Sequence, residues 1–247
     1  MGNWLNIGVE GYATWPTEET KIMFGGHELV LRPATRDTEQ SIHINIIGIS
    51  DVEALTLANR FLSILTWCDG TGMKNLYGWF GNPVPVSVPR RTRTVGSSFM
   101  FPFSRELETD PKVVLALALY REGRSIDNIP FEFLSYFKIL NIFWKDKFES
   151  VNGVRLNPLI EGIKQIIPKI EDEGAIKRIS ELTANGEEPA QYLYQSGRCA
   201  IAHAHSSPIV DPDDLSDLRR LSEDMYIVRS IAEYLIEEEL GVRRTLF

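Results

Sequence analysis

The chain has 247 residues, 43% of them hydrophobic, and a formal net charge of −8. That length buries one large core or two ordinary ones, and the hydrophobic share is that of a globular protein, which excludes a disordered or fibrous class. The negative charge excludes wholesale attraction to nucleic acid, so any polyanion must be met by a local basic patch.

Residues 1 to about 50 read as strands. Lys21-Ile22-Met23-Phe24 and His27-Glu28-Leu29-Val30-Leu31 flank Gly25-Gly26, a pair that supplies the positive φ of a tight hairpin turn. Ser41 to Ile46 alternates apolar and polar residues in the manner of a half-buried strand. His27 and His43 fall in this β half and read as structural. Ser50 with Glu53 forms a capping box, Val52 to Trp67 carries helical spacing, and Gly70 and Gly72 end that helix. Trp79 to Arg93, rich in glycine and proline, suits an edge strand or extended segment. It closes on Arg90-Arg91-Thr92-Arg93, the densest basic cluster, which is either a solvated loop or, through Arg90, Arg91 and Arg93, a phosphate-contacting patch. Gly70-Thr71-Gly72 lacks the further glycines of a dinucleotide fingerprint, and no P-loop occurs.

From about residue 107 the pattern becomes helical. Asp110-Pro111 opens one helix and Pro130 a second, with Phe133, Phe137, Leu140 and Trp144 as core aromatics and aliphatics. Asn157-Pro158 starts a third that Pro168 stops, and a fourth runs from about Gly174 to Asn185-Gly186. Pro189 begins a segment in which Ser196-Gly197 should weaken or kink the helix. Ser206-Ser207-Pro208 reads as a turn, and Asp211-Pro212 as cap and first residue of the last and longest helix. In that helix Leu218, Leu221, Met225, Val228, Ala232 and Leu235 form a heptad seam, suited to a bundle or to a dimer. The expected fold is therefore α+β, a β-rich domain over 1–105 followed by a helical bundle over 106–247.

The two cysteines, Cys68 and Cys199, lack metal-ligand spacing and imply a reducing compartment. The N-terminus has no basic region leading into an apolar run, and no apolar stretch approaches the roughly 18 residues of a membrane span. The expectation is a cytoplasmic protein with no membrane partner.

Two of the four histidines sit in Ser196-Gly197-Arg198-Cys199-Ala200-Ile201-Ala202-His203-Ala204-His205. Imidazole, with a reference pKa of roughly 6.5, exchanges protons near neutral pH, and guanidinium can hold a phosphate through paired hydrogen bonds. That chemistry suits RNA self-cleavage, in which a 2′-hydroxyl attacks the adjacent phosphate, and it requires no metal or other cofactor. On a regular helix Arg198 and His205 share a face, whereas His203 lies about 140° round from Arg198. The choice between the two histidines stays open.

At these residues the chain resembles the HEPN superfamily (higher eukaryotes and prokaryotes nucleotide-binding). Its helical bundles carry an Arg, four to six intervening residues and a His near the start of a late helix. Arg198-x4-His203 and Arg198-x6-His205 both fit. The arrangement Tyr194-x3-Arg198-x4-His203, a proline-containing turn and a long final helix is similar to the abortive-infection and methylamine-utilisation MauJ-like branches. The resemblance covers about residues 107–247. It implies a homodimer with two Arg/His pairs across a cleft, and a metal-independent endoribonuclease, a toxin or defence effector, with Arg198 on the phosphate and His203 or His205 as acid–base groups. The residue after the Arg is often polar in that family and is Cys199 here. The alternative is therefore an inactive module of the same fold that binds a nucleotide or a protein partner.

Overall fold

The computed structural model describes residues 3–90, 103–151, 153–203, 208–211 and 213–245. Within these the architecture is α+β, and the chain divides into two compact units. One runs to Ser125 and takes back the C-terminal residues from Arg243, and the other spans Ile126–Val242.

The first unit is built on a five-stranded antiparallel sheet. Its strands are β1 (Trp4–Gly11), β2 (Thr20–Phe24), β3 (His27–Arg32), β4 (Ser41–Asn45) and β5 (Met73–Asn82), in the order β2-β3-β4-β1-β5. Gly25 and Gly26 have φ of 58° and 78° and close the β2–β3 hairpin, as the glycine pair predicts. Helix α1 (Asp51–Asp69) is capped by the reciprocal Ser50/Glu53 box and ends on Gly70 in the left-handed region. Phe24, Phe61, Phe103 and Trp15 meet edge to face in the core, with ring centroids 5.0 to 6.3 Å apart.

One expectation is refined here and another changes. Of the edge strand or extended segment expected over 79–93, residues 79–82 end the edge strand β5, which begins already at Met73, and beyond Asn82 only the isolated bridge Thr38–Pro89 pairs among the described residues. Strand β4 is not half-buried: residues 41–44 are buried on both faces. Ile42 and Ile44 pair in register with Ile7 and Leu5, while Ser41 and His43 pair with Gly8 and Asn6 on the opposite face. That second face is roofed by the segment before Pro89, where the Val86 N–H donates to Asn6 Oδ1 and Glu39 N–H to the Val88 carbonyl.

Helix α2 (Pro111–Ser125) packs on α1, so the first unit extends some way past residue 105, where the change of pattern placed the boundary. The C-terminal residues complete this unit. Trp67 Nε1 and the Arg105 guanidinium donate to the Arg243 carbonyl at 3.1 and 2.7 Å.

The second unit holds α3 (Ile129–Phe143), a short hairpin of β6 (Glu149–Val151) and β7 (Val154–Leu156), and α4 (Pro158–Ile166). It continues with α5 (Glu173–Ala184), α6 (Pro189–Tyr192), α7 (Ala200–Ala202) and α8 (Leu215–Tyr234). Helix α8 is central, packed by α3 and α5. Of the heptad seam, Leu221, Met225, Val228, Ala232 and Leu235 are buried inside the unit and serve the bundle, while Leu218 is half-buried. The cap of α8 is Asp214, whose side chain accepts from Ser216 N–H. The expected cap, Asp211, lies upstream, and Pro212 falls outside the described residues.

Candidate functional site

The stretch around Arg198 does not break at Gly197. Helix α6 runs without interruption into a π-helix over Leu193–Cys199 and then into α7. Ala200 N–H donates to the Gln195 carbonyl, the i→i−5 bond of a π-turn. Two contacts explain the widening. A Cβ on Gly197 would lie 2.4 Å from Cζ of the buried Phe133, so only glycine fits against that ring. On the other side Arg220 donates to the Ser196 carbonyl at 2.9 Å. Arg220 is fixed in turn by Asp224, which is fully buried and also holds Arg178 at 2.9 Å.

After Ala202 the backbone turns out of the helix, and His203 is extended, with φ −129° and ψ 111°. That turn overcomes the separation of about 140° that a regular helix imposes on residues five apart. Arg198 Nη1 and His203 Nε2 are 3.3 Å apart. A guanidinium only donates, so His203 Nε2 accepts and the ring proton sits on Nδ1.

The strongest partner of Arg198 is one that sequence reasoning missed. Asp146, in the loop after α3, places Oδ2 2.7 Å from Arg198 Nη2, with side-chain exposures of 14% and 26%. Its Oδ1 accepts from Tyr194 OH at 2.8 Å and from Asn157 Nδ2 at 3.2 Å. Asn157 is also the cap of α4, accepting from Leu159 N–H, so one buried amide both starts a helix and orients the carboxylate. Burial, then the bond to Asp146, pushes the Tyr194 hydroxyl well above the usual phenol range, which keeps it a donor. The Tyr194 ring lies beneath Arg198, 5.9 Å from centroid to Cζ. Cys199 is half-buried, with Sγ 3.8 Å from Arg198 Nη1.

Of the other expected site residues, His205, Arg91 and Arg93 lie outside the described residues. Arg90 belongs to the first unit, where it donates to the Thr35 carbonyl at 2.7 Å. Among the described residues no group of three or more His, Cys, Asp or Glu side chains is placed to hold a metal ion, and no helix is long and apolar enough to cross a membrane.

Residues 116–237 match the family model described as methylamine utilization protein MauJ. This region of the chain is MauJ-like. No curated protein and no solved structure matches the chain. The MauJ-like region takes in Asp146, Tyr194, Arg198 and His203 together, so the whole described site falls inside it.

Proposed function

We propose that the MauJ-like region is a metal-independent endoribonuclease of HEPN type, working as a homodimer and serving as a toxin or defence effector. The observation that carries this reading is the 3.3 Å contact of Arg198 with His203, a fixed cation beside an imidazole whose Nε2 lone pair faces it. In this reading Arg198 binds the scissile phosphate and stabilises the charge that grows on it. The 2′-oxygen bonds to phosphorus as the bond to the 5′-oxygen breaks, leaving a 2′,3′-cyclic phosphate and a 5′-hydroxyl. His203, with or without His205, takes the 2′ proton and returns one to the leaving oxygen. The test is incubation of the full chain with single-stranded RNA in EDTA. Wild type should cut, and an Arg198→Ala/His203→Ala double variant should not. Equal, negligible cutting by both overturns the reading.

One observation favours a second reading, a non-catalytic module that binds a nucleotide or a protein partner. Asp146 already neutralises Arg198, and an incoming phosphate must compete with that carboxylate. On this reading Arg198→Ala weakens nucleotide or partner binding while every nuclease assay stays blank.

A further inference from the structure

The β6–β7 hairpin plays no part in the chemistry proposed above, yet it adjoins the Arg198 cluster. Phe148, immediately before β6, is 40% exposed and sits edge to face with Tyr194, the ring centroids 6.3 Å apart at 84°. Arg155 of β7 lays its guanidinium over the Phe148 ring, 4.7 Å from the centroid. Two adjoining rings flanked by two cations thus form a chain of contacts, Arg155, Phe148, Tyr194, Arg198, which ends at the residue that contacts both Asp146 and His203.

Such a chain of contacts has the chemistry that unpaired nucleobases need. Each base offers a π-face to an aromatic ring and to a guanidinium plane, while its phosphate seeks a charged donor. A base inside a duplex offers neither face, because its neighbours cover both. The chain's net charge of −8 gives no general attraction for RNA, so affinity has to come from local contacts of this kind. Tyr194 is committed through its hydroxyl to Asp146, which leaves the more exposed Phe148 and Arg155 as the pair free to rearrange around a base.

We infer that Phe148 and Arg155 form a nucleobase clamp, which takes an unpaired base of single-stranded RNA next to the phosphate on Arg198. The inference rests on the ribonuclease reading for the nature of the ligand, and it assigns to the hairpin the selection of single-stranded over paired substrate.

The test compares three probes on the full chain in EDTA: a single-stranded RNA 12-mer, the same strand in a duplex, and a 12-mer of abasic ribose phosphates. Binding is read by fluorescence anisotropy and cutting by gel. Phe148→Ala should weaken binding of the single strand about 10-fold or more and leave the abasic strand unchanged. Arg155→Ala should act in the same direction, and Phe148→Trp should keep affinity and show quenched indole emission only with probes that carry bases. Unchanged binding in Phe148→Ala, or equal loss on both single strands, overturns the clamp. Base-dependent binding without cutting upholds the clamp and overturns the ribonuclease reading. Cutting that is indifferent to Phe148 does the reverse, and no binding of any probe overturns both. If Phe148→Ala fails to fold by circular dichroism, the Phe148→Trp quenching decides.

Discussion

Asp146 and Arg198 form a 2.7 Å ion pair in which each side chain is also held by others, the carboxylate by Tyr194 and Asn157 and the guanidinium by His203. The pair is partly shielded from water, so its loss is felt more than that of a surface bridge. Asp146→Ala strands three donors and should lower the stability of the chain by about 2–3 kcal/mol, read from urea denaturation. Asp146→Asn keeps one acceptor oxygen and should cost about half as much. It also removes the charge that competes for Arg198, so the isosteric variant should bind inorganic phosphate several-fold more tightly than wild type. Unchanged phosphate affinity would mean that Arg198 is not the anion-binding group.

Gly197→Ala sets two effects of opposite sign against each other. Alanine favours a helix by about 1 kcal/mol over glycine. The added methyl, however, would sit 2.4 Å from Phe133, whose ring is fully buried and stacked on Phe137 at 5.7 Å. Overpacking of that kind costs about 1–3 kcal/mol and more where the neighbour cannot yield. The variant should therefore be less stable by about 2 kcal/mol. A double-mutant cycle with Phe133→Leu should recover at least about 1 kcal/mol of that loss. A Gly197→Ala protein more stable than wild type would show that Phe133 does not fix the π-turn.

What was legible in the sequence was what short-range chemistry settles. The Ser50/Glu53 box, the Gly25-Gly26 turn and the Asn157-Pro158 helix start each depend on residues within one turn of one another, and each stands where the pattern places it. The α+β division rests on the same local periodicities. What was not legible depends on partners distant in the chain. The π-turn at Gly197 answers to Phe133 and Arg220, neither of which is near it in sequence. Asp146 stands between two lysines in a loop without periodicity, and nothing local marks it as the partner of Arg198. The Arg/His spacing put Arg198 forward with His203 or His205, and Arg198 and His203 lie 3.3 Å apart although a helical wheel separates them. Their contact needs the extended backbone at 203, which lies outside any regular pattern.

The support beneath the π-turn is itself charged. Asp224 is fully buried between Arg178 at 2.9 Å and Arg220 at 3.3 Å, and both arginines also reach Tyr192 OH at 3.4 Å. Glu181 and Glu223 also lie 3.3 and 3.4 Å from Arg178, and Asp217 3.6 Å from Arg220, but these carboxylates are more exposed. Removing the buried anion therefore leaves both cations only partly compensated and costs about 3 kcal/mol, the low end for a broken buried pair. Asp224→Ala should show that loss in equilibrium unfolding. An Arg178→Met/Arg220→Leu/Asp224→Leu triple variant should regain much of it, because the carboxylates it leaves, Glu181, Glu223 and Asp217, are the more exposed ones and no charge stays buried. The triple variant should still disturb the Arg198 site, since the Ser196 carbonyl loses its donor, and RNA binding distinguishes that effect from stability.

The first unit carries a built-in dependence on pH at His43. The ring is fully buried, with Nδ1 2.8 Å from Asn6 Oδ1 and Nε2 2.9 Å from Ser41 Oγ. The Asn6 oxygen only accepts, so Nδ1 carries the proton and Nε2 accepts from the serine hydroxyl in the neutral ring. Burial, reinforced by the charge of Arg32 and opposed by Glu19, lowers the pKa from 6.5 to about 4. Between those two values the unfolded chain binds a proton at this residue and the native chain does not, so stability falls as pH falls through the window. Above about pH 6.5 the contribution is complete, and below about pH 4 both states are protonated and the slope from His43 vanishes. The full effect is about 3 kcal/mol. Carboxylates titrate in the same window, so the measurement is a difference. Urea unfolding of wild type and His43→Gln at pH 7 and pH 4 should show wild type losing about 3 kcal/mol more than the variant, and parallel pH profiles would mean that burial does not lower the pKa of His43 below its unfolded value.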